Sequence, residues 1–183
     1  VQKNGHLVFL NTGRSRAYIC HPALLEIGFD GIISGCGTKI EYRGEDVYSR
    51  FIDPDLAEQT VKLLHQCGFC AILEGTEYLY FDEKEFEDDI FGKKIMAEIP
   101  ERVKAIDDCW GEWKFGKFSF GILTGDCENG LPALREDFDL VIHDIPVVEV
   151  VPKGFSKGSG IRKICEILGA DVEDTIAFGD SAN

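Results

Sequence analysis

The sequence predicts an α/β fold with a doubly wound parallel sheet, and three regions of the chain support this prediction. In the first region, residues 1–40, the apolar run 7–10 leads through the polar turn NTGRSR into a helical stretch. That stretch is broken near Pro22 and ends at Gly28, and the apolar segment 31–34 (GIIS) follows as a second strand. Strand, turn, helix and strand in this order are typical of a parallel βαβ unit.

The second region, residues 151–183, repeats this order. From Ser159 onward, apolar residues recur on one face of a helix that Gly169 stops; they are Ile161, Ile164, Cys165 and Leu168. The apolar segment 175–178 (TIAF) then predicts a buried strand. Both ends of the chain are therefore expected to belong to one sheet.

The third region, residues 41–150, predicts a second α/β domain inserted into the first. Its strand-like runs come in adjacent pairs, as in an antiparallel or mixed sheet. Asp53 and Pro54 are a good cap and first turn for a helix. The predicted helices span 53–64, about 101–110 and about 131–138, and the predicted strands lie in CAILEG, EYLYF, KFSFGILTG, DLVIHDI and VVEVV.

Composition excludes several classes of protein. The 183 residues are 44% hydrophobic and 28% charged, with a net charge of −14, whereas a duplex-binding protein needs a basic face. The sequence contains no apolar run long enough for a transmembrane helix, and residues 1–10 do not form a signal peptide. We therefore expect no nucleic-acid or membrane partner and a cytoplasmic location.

Two groups of residues raise alternatives that the sequence disfavours. Cys67 and Cys70 (CGFC) have the spacing of a redox motif, but Cys67 falls at the end of a predicted helix, where the dipole disfavours a thiolate. No second CxxC completes a zinc site, and seven cysteines without a repeating spacing indicate reduced thiols. The acidic block 82–89 (DEKEFEDD) fits a solvated loop better than a metal cluster.

Three polar motifs are predicted to lie where such a sheet carries its chemistry. Thr12, Gly13 and Arg14 follow the first strand and offer a hydroxyl, an amide and a guanidinium to an anion. Lys157 lies in a glycine-rich turn that opens a helix, where the amides and the dipole favour anions.

The third motif is FGDSAN at 178–183. Asp180 follows a strand expected to be buried, where an unpaired carboxylate would be costly and a Mg²⁺ ion would satisfy it. Asn183 would lie one helical turn further on. A fourth stretch, GEWKFGKF at 111–118, matches seven positions of a nucleotide-binding P-loop, but Phe118 replaces the required hydroxyl residue, which favours a turn before a strand.

The order of these motifs, with a large α/β insertion between Thr12 and Lys157, resembles the haloacid dehalogenase superfamily of phosphohydrolases. The resemblance is to the Cof-type members (subfamily IIB), which have a Rossmann-like core and an α/β cap. It implies a core at 1–40 and 151–183 and a cap at 41–150. Thr12 would be motif two, Lys157 motif three, and Asp180 with Asn183 motif four.

The sequence departs from the family pattern at two places. The DxD loop that supplies the family's nucleophile is absent, because the chain opens with VQKNGH, and the acidic residue expected after Asn183 is absent as well. The sequence therefore resembles a segment cut at both ends. We expect such a segment to be inactive alone.

The resemblance implies a Mg²⁺-dependent phosphatase with an aspartyl-phosphate intermediate, acting on a small phosphorylated metabolite such as a sugar phosphate. Thr12 and Gly13 would hold the phosphoryl group together with Arg14, Lys157 would neutralise its charge, Asp180 would bind the metal, and Asn183 would orient the phosphate. A phosphomutase of the same superfamily and a non-catalytic phosphate-binding module are the alternatives.

Overall fold

The computed structural model describes residues 1–86, 90–123, 125–142 and 146–179, with the backbone alone at 90 and 91. Within these residues the strands are β1 Phe9–Asn11, β2 Gly31–Ser34, β3 Lys39–Tyr42, β4 Glu45–Ser49, β5 Ala71–Gly75, β6 Leu79–Tyr80, β7 Val103–Lys104, β8 Phe115–Gly121, β9 Phe138–Ile142 and β10 Val147–Pro152. The α-helices are α1 Pro22–Leu25, α2 Pro54–Gln66, α3 Ile90–Glu98, α4 Cys127–Leu134 and α5 Lys157–Leu168. The α/β fold class is confirmed. No helix in these four stretches is long and apolar enough to cross a membrane.

The first sheet has the strand order β1-β2-β3-β4. β1 and β2 are parallel, as the βαβ pattern predicts, while β3 and β4 continue the sheet antiparallel. Helix α5 packs on this sheet through Ile164, which lies in one apolar cluster with Ile33 and Ile40. The sheet extends to Ser49 through β3 and β4.

The second sheet has the order β7-β6-β5-β8-β10-β9 and is antiparallel except at β6–β7. One face forms the main core, with α2 and α4 packed against aromatic and aliphatic side chains such as Leu73, Phe118 and Val150. The opposite face packs against the chain that follows β1, where Ala17 and Tyr18 contact Ile72. This second face places the inserted region beside the carboxyl end of β1.

Two of the predicted helices form, and the structure shows their capping residues. The Asp53 carboxylate accepts a hydrogen bond from the Asp55 N–H at 3.1 Å, and Pro54 occupies the first position of α2. At α5, Ser156 and Ser159 form a reciprocal capping box. Gly169 ends α5 in the left-handed conformation, with φ of 66°.

The helix predicted around 101–110 is wrong. Residues 100–102 and 107–109 form short 3-10 turns, and Val103 pairs with Leu79 in the second sheet. Sheet pairing and burial of Ile106, whose carbonyl accepts from the Trp113 indole at 2.9 Å, outweigh the weak helical pattern. The helix of this region is α3, and the one predicted at 131–138 begins earlier, at Cys127, behind the Asp126 cap.

The buried strand predicted at 175–178 is also wrong. Ile176 is 83% exposed and Phe178 is 95% exposed, and the segment is not in either sheet. A strand needs a neighbour with which to share its backbone hydrogen bonds, and none lies beside this segment in the described part of the chain.

The P-loop-like stretch 111–118 and the CGFC motif both fold as ordinary structure. Residues 111–118 form a turn that enters β8, and Phe115 and Phe118 are buried in the core. Cys67 ends α2 in the core, and burial raises the pKa of its thiol. All seven cysteines are thiols.

Candidate active site

The carboxyl end of β1 meets the first turn of α5. The side-chain amide of Asn11 donates to the Lys157 carbonyl at 3.0 Å. Beside this contact, the turn after β2 packs on α5 backbone to backbone: a Cβ placed on Gly37 would lie 2.8 Å from the Ser156 carbonyl oxygen and 3.0 Å from the Gly160 Cα. The Thr12 and Lys157 motifs, 145 residues apart in sequence, therefore lie at the same edge of the sheet.

The turn after β1 is held by backbone bonds to β2 and the residues after it. The Thr12 N–H donates to the Ile33 carbonyl at 2.9 Å, and the Thr12 carbonyl accepts from the Cys36 N–H at 3.3 Å. The Arg14 carbonyl accepts from the Gly35 N–H at 2.8 Å. These three bonds fix the path of the turn from both sides.

Two further bonds leave one backbone group of residues 12–14 open. The Arg14 N–H donates to the Thr12 hydroxyl oxygen at 3.2 Å, so the hydroxyl keeps its own proton for another acceptor. The Gly13 carbonyl accepts from the Lys117 ammonium at 3.1 Å. Among the backbone N–H and C=O groups of 12–14, the Gly13 N–H alone lacks a hydrogen-bond partner in the described part of the chain. The turn thus offers an O–H and an N–H donor to an anion.

Helix α5 adds positive potential beside this turn. Its capping box satisfies the first backbone groups, and its dipole places partial positive charge at the amino end. Lys157 is the first residue of α5, and its ammonium is close enough to the Cys36 thiol to act on the pKa of that thiol. A full positive charge therefore stands at the pole that already favours anions.

The Arg14 guanidinium lies over the Tyr18 ring. Its guanidinium carbon lies 5.1 Å from the centre of the Tyr18 ring, a cation–π distance, and the residue is exposed. The stacked guanidinium keeps its in-plane N–H donors, and the phosphate-binding role of Arg14 stays a prediction.

Cys36 lies directly beneath the turn. A Cβ on Gly13 would lie 3.4 Å from the Cys36 sulfur and 3.3 Å from Oε1 of Glu149. Burial raises the pKa of the Cys36 thiol to about 11, although the charges of Lys117 and Lys157 act in the opposite direction. The thiol is neutral at physiological pH.

Sequence reasoning missed an ion cluster at this place. Lys117 on β8 contacts the carboxylate of Glu149 on β10 and, at 3.3 Å, that of Glu74 on β5. A signal was present, because FGKFSF alternates polar and aromatic residues around Lys117, and this alternation predicts one polar face. Asn11 and Cys36 carried no comparable signal.

The two residues predicted for the metal end of the site, Asp180 and Asn183, lie outside the described residues. Within the described stretches, no group of three or more His, Cys, Asp or Glu side chains is arranged to hold a metal ion. The acidic block 82–89 therefore gives no metal cluster in its described part.

One cleft of the described structure lies away from these residues. It has a volume of about 660 Å³ and is lined by residues that include Lys39, Tyr78 and Lys104, but by none of the Thr12, Gly13 and Lys157 set. The residues that line it include equal numbers of lysines and acidic residues, so it has no excess of positive charge for an anion. The candidate site is therefore defined by the Thr12 hydroxyl and the Gly13 N–H beside α5, and not by the size of a cleft.

Comparison with known proteins decides the family. The sequence matches the family model of the haloacid dehalogenase-like hydrolases over residues 1–183. The chain belongs to this family. The prediction of a haloacid dehalogenase-family hydrolase is thereby confirmed.

Individual relatives agree with this membership. The chain is 29% identical over 184 residues to the Putative phosphatase YkrA of Bacillus subtilis (strain 168), covering 100% of this chain and 69% of YkrA. A haloacid dehalogenase-like hydrolase structure from B. subtilis has a TM-score of 0.72 at 20% identity, covering 98% of this chain and 73% of that one. The subclass IIB sugar phosphatase BT4131 has a TM-score of 0.72 at 18% identity, covering 95% and 67%. The fold of these family members is the fold of this chain.

Proposed function

We propose that the protein is a phosphomonoester hydrolase whose phosphoryl group is held between the turn 12–14 and the amino end of α5. The observation that carries the proposal is the set of two open donors, the Thr12 hydroxyl and the Gly13 N–H, next to a helix terminus that bears Lys157. Family membership supplies the reaction class.

In this proposal each residue has an electrostatic role. The Thr12 hydroxyl and the Gly13 N–H donate to phosphoryl oxygens, and the Lys157 ammonium offsets the negative charge that these oxygens carry in the transition state. The dipole of α5 acts in the same direction as Lys157. The Arg14 guanidinium is proposed to bind a second anionic group of the substrate.

The covalent chemistry is proposed from the family. A carboxylate nucleophile attacks phosphorus, the alcohol leaves, and water hydrolyses the aspartyl-phosphate. Residues 1–8 contain no acidic side chain, so none of them is this nucleophile. Asp180 is proposed as a ligand of Mg²⁺, whose charge would help to bind the phosphate, and Asn183 as a residue that orients it.

The proposed substrate is a small phosphorylated metabolite, and a sugar phosphate is the proposed class. BT4131, which shares the fold, is named a sugar phosphatase. The inserted region 41–150 is proposed to act as the cap that closes on the substrate. We also propose a cytoplasmic location, since all seven cysteines are thiols.

The test is steady-state hydrolysis of p-nitrophenyl phosphate by the full-length protein, with Mg²⁺ and with EDTA. We expect Lys157→Ala to lower kcat/KM about 100-fold or more, which corresponds to about 3 kcal/mol of transition-state stabilisation. Lys163→Ala is the matched control, because Lys163 lies on α5 but bonds Glu166 at the surface at 3.0 Å.

Three outcomes would contradict the proposal in different ways. Equal rates for wild type and Lys157→Ala would show that Lys157 does not act in the site. Full activity in EDTA would show that the reaction does not need a metal ion. Phosphate binding by the full-length protein without turnover would favour a binding module.

A further inference from the structure

We infer that Lys117 is a positioning residue: it ties the six-stranded sheet to the phosphate-binding turn and holds the Gly13 peptide so that the open N–H faces the anion. The inference rests on the proposed function for its catalytic consequence. Its structural part rests on three contacts of one buried ammonium group.

Lys117 is buried and has three polar partners. Its side chain is 1% exposed, and its ammonium donates to the Glu149 carboxylate and to the Gly13 carbonyl at 3.1 Å, while the Glu74 carboxylate is an ion-pair partner at 3.3 Å. The two carboxylates come from the strands that flank β8, and the carbonyl comes from the turn that follows β1 in the other sheet.

The electrostatics keep Lys117 charged. Burial alone would lower the pKa of the Lys117 ammonium, but the carboxylates of Glu74 and Glu149 outweigh burial and raise this pKa above its ordinary value. The charge that donates to Gly13 is therefore present at every physiological pH.

Both peptide groups of Gly13 are held as a result. The Thr12 carbonyl, on one side of the Gly13 Cα, accepts from the Cys36 N–H, and the Gly13 carbonyl, on the other side, accepts from Lys117. Glycine has the greatest backbone freedom of any residue, so a turn that must aim its N–H needs such restraints. Removal of Lys117 would leave the second peptide group held only by its Arg14 N–H, which donates to the Thr12 hydroxyl at 3.2 Å.

Lys117 also separates the turn from negative charge. Glu149 Oε1 lies within 3.3 Å of the position that a Gly13 Cβ would take. Without the ammonium, two carboxylates would face the proposed phosphate site, and they would repel a dianion. Positioning and charge compensation act together here, so the experiment has to separate them.

The experiment compares Lys117→Met with Lys39→Met in the full-length protein. Lys39 is the matched control, because its side chain is 7% exposed and bonds Asp46 and Ser49 without contacting residues 12–14. The readouts are kcat and KM for p-nitrophenyl phosphate and the deuterium-exchange rate of peptides covering 12–16. We expect Lys117→Met to lower kcat about 10- to 100-fold and to speed exchange at 12–16, with neither effect in Lys39→Met.

A third variant separates the two effects. Lys117→Met with Glu74→Gln and Glu149→Gln removes the two negative charges that Lys117 offsets, which should return the melting temperature and KM toward the wild-type values. Its kcat should stay low and its exchange at 12–16 fast, because the Gly13 carbonyl still lacks its donor. Recovery of kcat in this variant would overturn the positioning role.

The positioning role of Lys117 and the proposed hydrolase function can be contradicted separately. A wild-type protein that hydrolyses the ester, with unchanged kcat and exchange in a folded Lys117→Met variant, would overturn the inference and leave the proposed function standing. A wild-type protein with no hydrolysis would overturn the proposed function, while the exchange at 12–16 would still decide whether Lys117 holds the turn.

Discussion

Cys36 adopts a backbone conformation that is rare for its residue type. Its φ of 55° lies in the left-handed region, between Gly35 and Gly37, which also have positive φ. The conformation lets the 36 N–H reach the Thr12 carbonyl while the thiol stays buried beside Gly13. This residue therefore links the turn 12–14 to β2 and lies beside the buried ion cluster.

The buried thiol predicts a pH dependence of stability. The folded state keeps the proton of Cys36 up to pH about 11, whereas an unfolded thiol, with its ordinary pKa of 9.0, loses the proton earlier. The folded state thus binds more protons between pH 9 and 11, and the free energy of unfolding should fall across that window by up to about 3 kcal/mol. Urea unfolding of wild type and Cys36→Ser at pH 8.5 and 11 measures this loss.

The comparison between the two proteins isolates one group. All other ionisable side chains are the same in both proteins. The difference between the two losses of unfolding free energy from pH 8.5 to 11 therefore belongs to the Cys36 thiol. Equal loss of stability in wild type and Cys36→Ser would show that the Cys36 proton is not retained on folding.

At this scale the sequence predicted Thr12, Gly13 and Lys157, and missed the residues that hold the turn 12–14 in place. Thr12, Gly13 and Lys157 belong to short motifs with a local physical reason, a turn and a helix start. Asn11, Glu74 and Glu149 matter through partners that are distant in sequence, so no local pattern reveals their roles. Lys117 is intermediate, because strand alternation predicts its face but not its partner.

At the scale of elements, α5 is the helix on which the site depends. Its first turn contains two glycines with opposite surroundings. A Cβ on Gly158 would meet nothing closer than 3.6 Å, whereas a Cβ on Gly160 would lie 2.5 Å from a methyl carbon of Ile33 and 3.0 Å from the Gly37 Cα. Gly160 therefore permits the close packing of α5 on the first sheet.

This contrast gives a matched pair of variants. Gly158→Ala should raise the free energy of unfolding by about 0.5 to 1 kcal/mol, because alanine is the better helix former. Gly160→Ala should lower it by about 1 to 3 kcal/mol, because the added methyl group overpacks the contact with Ile33 and Gly37. Thermal or urea unfolding of both variants measures the two effects.

The test depends on whether each substitution raises or lowers the free energy of unfolding. Stabilisation by both substitutions would mean that α5 does not pack on Gly37 as closely as described. Destabilisation by both would point to a loss of the capping geometry at Ser156.

Elements with explicit end signals were predictable, and those without them were not. Asp53 and Pro54 mark the start of α2, and a glycine-rich turn and Gly169 mark the two ends of α5, so these helices were predicted within a few residues. The segment 101–110 has no such start and forms instead two turns around a short strand. The strand predicted at 175–178 fails for a different reason, since apolar composition cannot supply a pairing partner.

At the scale of the whole molecule, the site lies where two sheets face each other. The turn after β1, the start of α5 and the polar face of the second sheet meet around Gly13. The sequence predicted a parallel β1–β2 pair and a separate inserted α/β region, but not the extension of the first sheet to Ser49. Nor could it show which face of the second sheet lies toward the turn, because that depends on the packing of α2 and α4 on the other face.

A calorimetric titration of the full-length protein with inorganic phosphate is the most direct test of a phosphate site between β1 and α5. The account predicts that Thr12→Val and Lys157→Met each weaken phosphate binding about 10-fold or more, since each loses a donor or a charge at one shared anion site. Lys163→Met, which removes an ammonium that bonds Glu166 and lies over the Tyr48 ring, should bind phosphate as the wild type does. Unchanged affinity in both Thr12→Val and Lys157→Met, in proteins that remain folded, would contradict a phosphate site between β1 and α5.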